Sequence, residues 1–344
     1  MLTIDKQKNK HTLEFTGDGM EFFKIWIVNV MLSIVTVGFY SPWAKVRTKR
    51  YFYGNTLLMG TAFDYLADPI KILKGRLVAL LLLIIYSIGG ISPVIQGLLT
   101  LIFIPLLPWI IIKALRFNAY NSAYRNIRFT FHARYLTALG VFVGMPFLVG
   151  ITAGLAYPFF VRARKKFVLD HTAYGTSNFE LQASGGEFYA IYLKASVMML
   201  ALVGIFVGIG YSLGGNYHLS HSDFAAVMMI APLLLLPFAV LIFAYIYTAT
   251  TNLVINKTVI EKHHFESSLE VGKMCWLYFS NMLMIIFSLG LLIPWAMVRT
   301  AAYRISCMSV YVEGNVDDFI AAETERAEAI GEEIGDIFDL DIGL

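Results

Sequence analysis

The stretch that decides the fold is FYSPWAKVRTKRYFYGNT, residues 39–56. It closes a long apolar run with Pro42-Trp43, continues through Lys45, Arg47, Lys49 and Arg50, and ends in Tyr51-Phe52-Tyr53 before a Gly54-Asn55 turn signal. An apolar segment, an aromatic anchor and a cationic stretch, in that order, describe a chain leaving a bilayer. Trp and Tyr rings suit the headgroup layer, and Lys and Arg suit its anionic surface.

The rest of the chain agrees. Of 344 residues, 58% are hydrophobic and 15% charged, where a soluble protein carries about 25% charged residues. Residues 1–312 hold 26 Lys and Arg against 13 Asp and Glu; residues 313–344 hold one Arg against 11 acids. This divides the chain into a basic, repeated transmembrane domain, 1–312, and an acidic soluble tail, 313–344. The body belongs against anionic lipid and the tail in water. The first ten residues, MLTIDKQKNK, lack the apolar core of a secretory signal, so insertion is expected to use the first internal apolar segment. Cys275 and Cys307 have no metal or disulfide spacing and read as small packing residues.

Seven apolar segments are visible. The first runs from about Met20 to Tyr40. Leu77 to Ile112 is 36 residues without a charge, which as one helix would extend about 54 Å. Gly89-Gly90 and Ser92-Pro93 therefore divide it into a hairpin of two spans. The fourth, Tyr135–Phe160, is broken by Gly140, Gly144, Pro146, Gly150, Gly154 and Pro158. The fifth and sixth, about Phe188–Leu213 and Ala225–Tyr247, enclose a loop without Lys or Arg, and the seventh is Trp276–Val298.

The exit at 39–56 recurs. Pro108-Trp109 precedes Lys113 and Arg116; YPFF precedes Arg162, Arg164, Lys165 and Lys166; Pro294-Trp295 precedes Arg299. Each exit leads into a short hairpin-like stretch, so the chain reads as about five copies of one unit, alternating one apolar segment (1, 4, 7) with two (2–3, 5–6). The double units have basic ends and tips free of Lys and Arg, which places both ends in the cytoplasm. Segment 4 then joins two cytoplasmic ends. Either all seven segments cross, at the expense of the positive-inside rule, or segments 1, 4 and 7 dip in and return. The expected fold is an all-α polytopic membrane protein: four firm spans, three segments crossing or re-entrant, and short β-hairpin-like cytoplasmic connections.

The blocks EFFKIWIVNVMLSIVTVGFYSPWAKVRTKRYFYGNT, FDYLADPIKILKGR, RFNAYNSAYRNIRF and the acidic ending GEEIGDIFDLDIGL together resemble the YjgN family of bacterial inner-membrane proteins. The resemblance covers nearly the whole chain. It implies a multi-pass protein of the bacterial inner membrane and supplies no catalytic or binding residue.

Chemical sites are few. His218, His221 and Asp223 have a spacing that could serve Zn or Cu, but without a fourth ligand the plainer reading is a solvated loop. No nucleophile–base set, phosphate-binding loop or acidic catalytic pair stands out. Apart from Glu21, Lys24 and Lys194 near their ends, the apolar segments hold no Asp, Glu, Lys, Arg or His, which argues against proton-coupled transport. Basic residues interleaved with aromatics also suit nucleic acid, yet each exit abuts an apolar segment, so lipid is the nearer partner. The expectation is a non-enzymatic membrane component with no cofactor. Its exits would touch anionic lipid or protein partners through Trp43, Trp109, Trp295 and the cations that follow them. The alternative is a transporter or channel for a neutral solute, with a path past Asn29, Gln96 and Asn281.

Overall fold

The structure is a computed structural model, described for residues 10–90, 92–216, 221–314 and 320–326. Each repeat begins with a helical excursion. In the first, α1 (Gly19–Val35) is capped by Asp18, whose carboxylate accepts the N–H groups of Met20 and Glu21 at 2.8 and 3.0 Å. The helix stops after 17 residues, and α2 (Ser41–Gly54), with Pro42 in its first turn, packs back along it. The second excursion is α3 (Pro69–Gly89) and α4 (Pro93–Tyr120). The third is α5 (Tyr135–Leu139), a π-helical turn at Gly140–Gly144, α6 (Met145–Ile151) and the returning α7 (Tyr157–Asp170). The fourth is α8 (Gly185–Asn216) and α9 (His221–Asn256), and the fifth α10 (Val271–Phe287) and α11 (Ile293–Ser306).

Among the described residues four helices are long and apolar enough to cross a bilayer: α3, α4, α8 and the Leu235–Asn256 part of α9. The single-segment units do something else. At Thr36, Thr152 and Ser288 the helix ends, and the side-chain hydroxyl accepts the N–H four residues on, from Tyr40 (2.9 Å), Ala156 (3.1 Å) and Leu292 (3.0 Å). The next two residues turn left-handed, with φ of 50° and 89° at Val37-Gly38, 47° and 91° at Ala153-Gly154, and 50° and 91° at Leu289-Gly290. Three identical reversals make segments 1, 4 and 7 re-entrant helical hairpins.

The connections correct the all-α expectation. After each returning helix comes a short strand pair: β3 (Thr56–Leu58) with β4 (Thr61–Tyr65), β5 (Ser122–Tyr124) with β6 (Ile127–Phe131), β7 (Thr172–Tyr174) with β8 (Ser177–Leu181), and β9 (Thr258–Ile260) with β10 (His263–Ser267). Left-handed pairs at Met59-Gly60 and Arg125-Asn126 provide tight turns. These hairpins are not separate. Each pairs antiparallel with the next, and with β1 (Lys10–Thr12), β2 (Glu14–Phe15) and β11 (Met308–Tyr311) they form one eleven-stranded sheet. Its two ends, β1 and β2, are consecutive halves of one stretch. The sheet therefore closes on itself as a barrel, which removes the unpaired edges that isolated hairpins would expose.

The closure supplies the pairing of the fifth unit. Within units, Leu57 faces Ala62, Ala123 faces Arg128, Ala173 faces Asn178, and Val259 faces His264. In the fifth unit Ser309 of β11 faces Thr12 of β1 in the same register, with their hydroxyls 3.2 Å apart, and Leu13 N–H donates to the Met308 carbonyl at 2.9 Å. The two ends of the chain thus build one hairpin. The helices form a matching ring, shut where α11 packs on α1: the Trp295 ring lies against Gly19, with its centroid 5.1 Å from that of Phe23.

Equivalent positions are buried in every unit. Phe22, Ala138, Phe188 and Met274 are fully buried and Ile72 nearly so, one per excursion, at the junction of helix and barrel. Each large side chain there contributes about 1.5–3 kcal/mol. The prolines of the exits, Pro42, Pro108 and Pro294, are buried as well.

Candidate lumenal binding site

The barrel has an apolar interior. Alternation along the strands sends one residue of each second strand inward: Phe63, Phe129, Phe179, Phe265 and, in the N-terminal strand, Leu13. They stand opposite a second ring in the neighbouring first strands, by the pairs Phe63–Tyr124, Phe129–Tyr174, Phe179–Ile260 and Phe265–Val310. Ring centroids 4.7 Å (Phe63–Tyr124), 5.3 Å (Phe129–Tyr174) and 5.8 Å (Phe179–Phe265) apart make a continuous aromatic girdle. The phenol hydroxyls do not reach inward. Tyr124 donates to the Leu58 carbonyl at 2.7 Å and Tyr174 to the Tyr124 carbonyl at 3.1 Å, leaving their ring bodies to face a cavity of about 340 Å³.

The tips of the hairpins carry a cover. Residues 320–326 are helical, and Ile320 packs on the aromatic rings. Glu323 is fully buried and accepts hydrogen bonds from Thr176 N–H at 2.6 Å, the Thr176 and Ser177 hydroxyls at 3.0 Å, and Arg326 at 3.0 Å. Burial works against its charge. The hydrogen bonds from Thr176, Ser177 and Arg326 outweigh it, so the carboxyl stays below its ordinary range. Gly175 is required beneath it: φ is +59°, and a Cβ there would lie 2.4 Å from the Glu323 carboxylate.

The exit cations divide into two sets. One set pins helices to strands across a constant sequence distance. Arg50 donates to the Tyr65 carbonyl (3.2 Å), Arg116 to Phe131 (3.4 Å) and Lys166 to Leu181 (3.2 Å), and in the fourth unit Asn252 accepts from the Ser267 hydroxyl (2.7 Å). Arg162 donates to the Ala183 carbonyl at 2.9 Å, Lys49 to Asn118 at 2.7 Å, and Arg299 to Asn281 at 2.9 Å inside its own hairpin. Lys113 and Lys165 are half-buried. The other set faces outward: Lys45, Arg47 and Arg164 are exposed, as is the Trp109 ring, while Trp43 stacks on Tyr40 and Trp295 is held between helices. Sequence reasoning treated both sets alike because both follow an aromatic anchor. A common separation of 15 residues to a strand carbonyl marks Arg50, Arg116 and Lys166 within the first set.

His218 lies outside the described residues, as do the side chains of His221 and Asp223; among the described residues no group of His, Cys, Asp or Glu could hold a metal ion. The lumen itself was missed. Its signal, a Phe at one position of four hairpins, shows only when the units are aligned on their exits.

A family model described as "Bacterial protein of unknown function (DUF898)" matches residues 10–337. The chain belongs to this family. Among its relatives are the "Inner membrane protein YjgN" of Escherichia coli O157:H7 and that of Escherichia coli strain K12, each 29% identical over 216 residues, covering 62% of this chain and 50% of the relative. The protein of that name from Salmonella typhimurium is 31% identical over 153 residues, 42% of this chain and 37% of its own. The chain thus spans about half the length of the curated relatives it matches. No solved structure matches. Together with four apolar helices able to span a bilayer, these relatives place this DUF898 protein in the bacterial inner membrane as a multi-pass protein.

Proposed function

We propose that the protein is a non-enzymatic membrane component whose helical ring seats the barrel at the bilayer surface and contacts anionic lipid. The observation that carries this reading is the division of the exit cations. Lys45, Arg47 and Arg164 make no ion pair with any described carboxylate and stand exposed on helices that leave the membrane. A cation near an anionic surface contributes about 1 kcal/mol. Transport of a neutral solute finds less support. Asn29 donates to the Ala44 carbonyl at 3.5 Å and Asn281 to the Ala296 carbonyl at 3.2 Å, each joining the two arms of its own hairpin, while Gln96 sits beside the Gly89-Gly90 turn. The three residues line no common path among the described residues.

The test is thermal unfolding of the detergent-purified protein with added phosphatidylglycerol or phosphatidylcholine. Phosphatidylglycerol should raise the midpoint more, and Lys45→Gln, Arg47→Gln and Arg164→Gln together should abolish that difference. An undiminished difference in the triple variant would remove the lipid reading.

A further inference from the structure

The re-entrant hairpins of the first and fifth units carry the same crevice. It lies between α1 and α2 in the first, with a volume of about 480 Å³, and between α10 and α11 in the fifth, with about 630 Å³. A shift of 252 positions, from Asn29 to Asn281, carries every residue lining the first crevice onto one lining the fifth. The repetition makes the crevice a property of the hairpin rather than of one local packing. The fifth adds a charged end. Arg304 lines it at the position that Phe52 holds in the first unit, and Phe52 itself lines the same crevice from α2. The wall runs along α11 from Ile293, beside the reversal, to Arg304, a helical length of about 16 Å at ~1.5 Å per residue. One leaflet of a ~30 Å hydrocarbon core is about 15 Å deep. Ile286 and Met297 on this wall are 58% and 38% exposed, so its deep half is open to acyl chains. At the other end the Arg304 guanidinium lies over the Tyr247 ring, 4.9 Å from its centroid, and its Nε is buried with no hydrogen-bond partner. Among the described residues no carboxylate is in ion-pair range of it. Arg299, the neighbouring cation of α11, is by contrast held by Asn281 at 2.9 Å and Ser280 at 3.3 Å. A buried charged donor without a partner is unfavourable, and an anion drawn from the membrane relieves it.

We propose that the fifth-unit crevice holds one anionic phospholipid, with its phosphate at Arg304 and an acyl chain along α10 and α11 as far as Ile286 and Ile293. The lipid supplies what the crevice lacks, an anion for the unpaired guanidinium and cover for the apolar wall, over a length that matches one leaflet. This site deepens the lipid-contact reading and rests on its placement of the hairpin in the bilayer, but on none of the three cations that carry that reading.

The experiment is native mass spectrometry of the detergent-purified protein titrated with phosphatidylglycerol or phosphatidylcholine. The first phosphatidylglycerol should bind about tenfold more tightly than the first phosphatidylcholine. Arg304→Gln should remove that preference, and Arg304→Lys should restore part of it. Met297→Trp, which keeps Arg304 and fills the crevice, should weaken the first phosphatidylglycerol several-fold. Arg47→Gln with Arg164→Gln, surface cations that do not line the crevice, should leave it unchanged, so this site and the surface contact fail separately. Equal binding of the two lipids by the unaltered protein, or an undiminished preference in Arg304→Gln, would overturn the site. Unchanged binding in Met297→Trp would overturn the path of the chain. Loss of the first phosphatidylglycerol in Arg47→Gln with Arg164→Gln would assign that lipid to the exposed surface and overturn the crevice.

Discussion

Arg116 and Lys45 are both exit cations, and their environments give opposite expectations. Arg116 donates to a strand carbonyl, whereas Lys45 meets solvent or headgroups. Arg116→Met should destabilise the protein by about 1–3 kcal/mol, the cost of leaving a polar group without its charged donor, and Lys45→Gln by less than about 0.5 kcal/mol. Thermal unfolding in detergent compares them directly. Glu323 gives a pH dependence with a definite sign. Its folded carboxyl sits below the ordinary value, so its contribution to tail docking is complete above the usual Glu pKa of about 4.3 and is lost as pH falls through the lowered one. Protection of residues 320–326 against hydrogen exchange, taken relative to the intrinsic rate at each pH, should be high at neutral pH and fall in acid. Glu323→Gln should remove that dependence, and an identical profile in the variant would show that Glu323 does not hold the tail.

At the scale of elements, the re-entrant hairpins rest on three left-handed reversals, and the glycine in each sits near φ of 90°. Gly290→Val should cost about 1–2 kcal/mol from backbone strain alone. Gly97→Ala, inside α4 with open space around its Cβ position, should be neutral or stabilising by up to about 1 kcal/mol. Melting temperatures of the two variants decide the matter, and equal effects would argue against the reversal at Ser288–Leu292. These elements show what the sequence carries. The exits, the Pro-Trp pairs and the hairpin turns are local signals, legible because turn residues and aromatic anchors act over a few positions. Whether segment 4 crosses or returns was not legible, because 26 apolar residues satisfy either geometry. The deciding feature, a Thr hydroxyl followed by two left-handed residues, takes on meaning only beside its copies at 36–40 and 288–292. The split among the cations was hidden for a related reason: Arg50, Arg116 and Lys166 look like surface charges until their strand partners, each 15 residues on, are placed beside them.

For the whole molecule the account makes a claim about sides and a claim about closure. Because every excursion leaves the barrel and returns to the same end of it, four helices cross and all hairpin tips share one compartment. Single cysteines at positions 60, 126 and 262 should react alike with an impermeant thiol reagent in cells, position 91 should react from the opposite side, and positions 37, 153 and 289 should resist it. Closure was the least legible property of the chain. Hairpins of three and five residues look like isolated connections, and the contact that joins them pairs residues 297 apart, which no local pattern announces. It is also the most direct point of attack. In a background carrying Cys275→Ser and Cys307→Ser, Thr12→Cys with Ser309→Cys should form a disulfide under mild oxidation, since the native hydroxyls are 3.2 Å apart. Thr12→Cys with Val259→Cys, a residue of the fourth hairpin separated from Thr12 by β10 and β11, should not. A protease cut engineered into the α8–α9 loop would then leave two fragments that stay joined without reductant in the first variant and separate in the second. Fragments that separate in both variants would contradict a barrel closed by the two ends of its own chain.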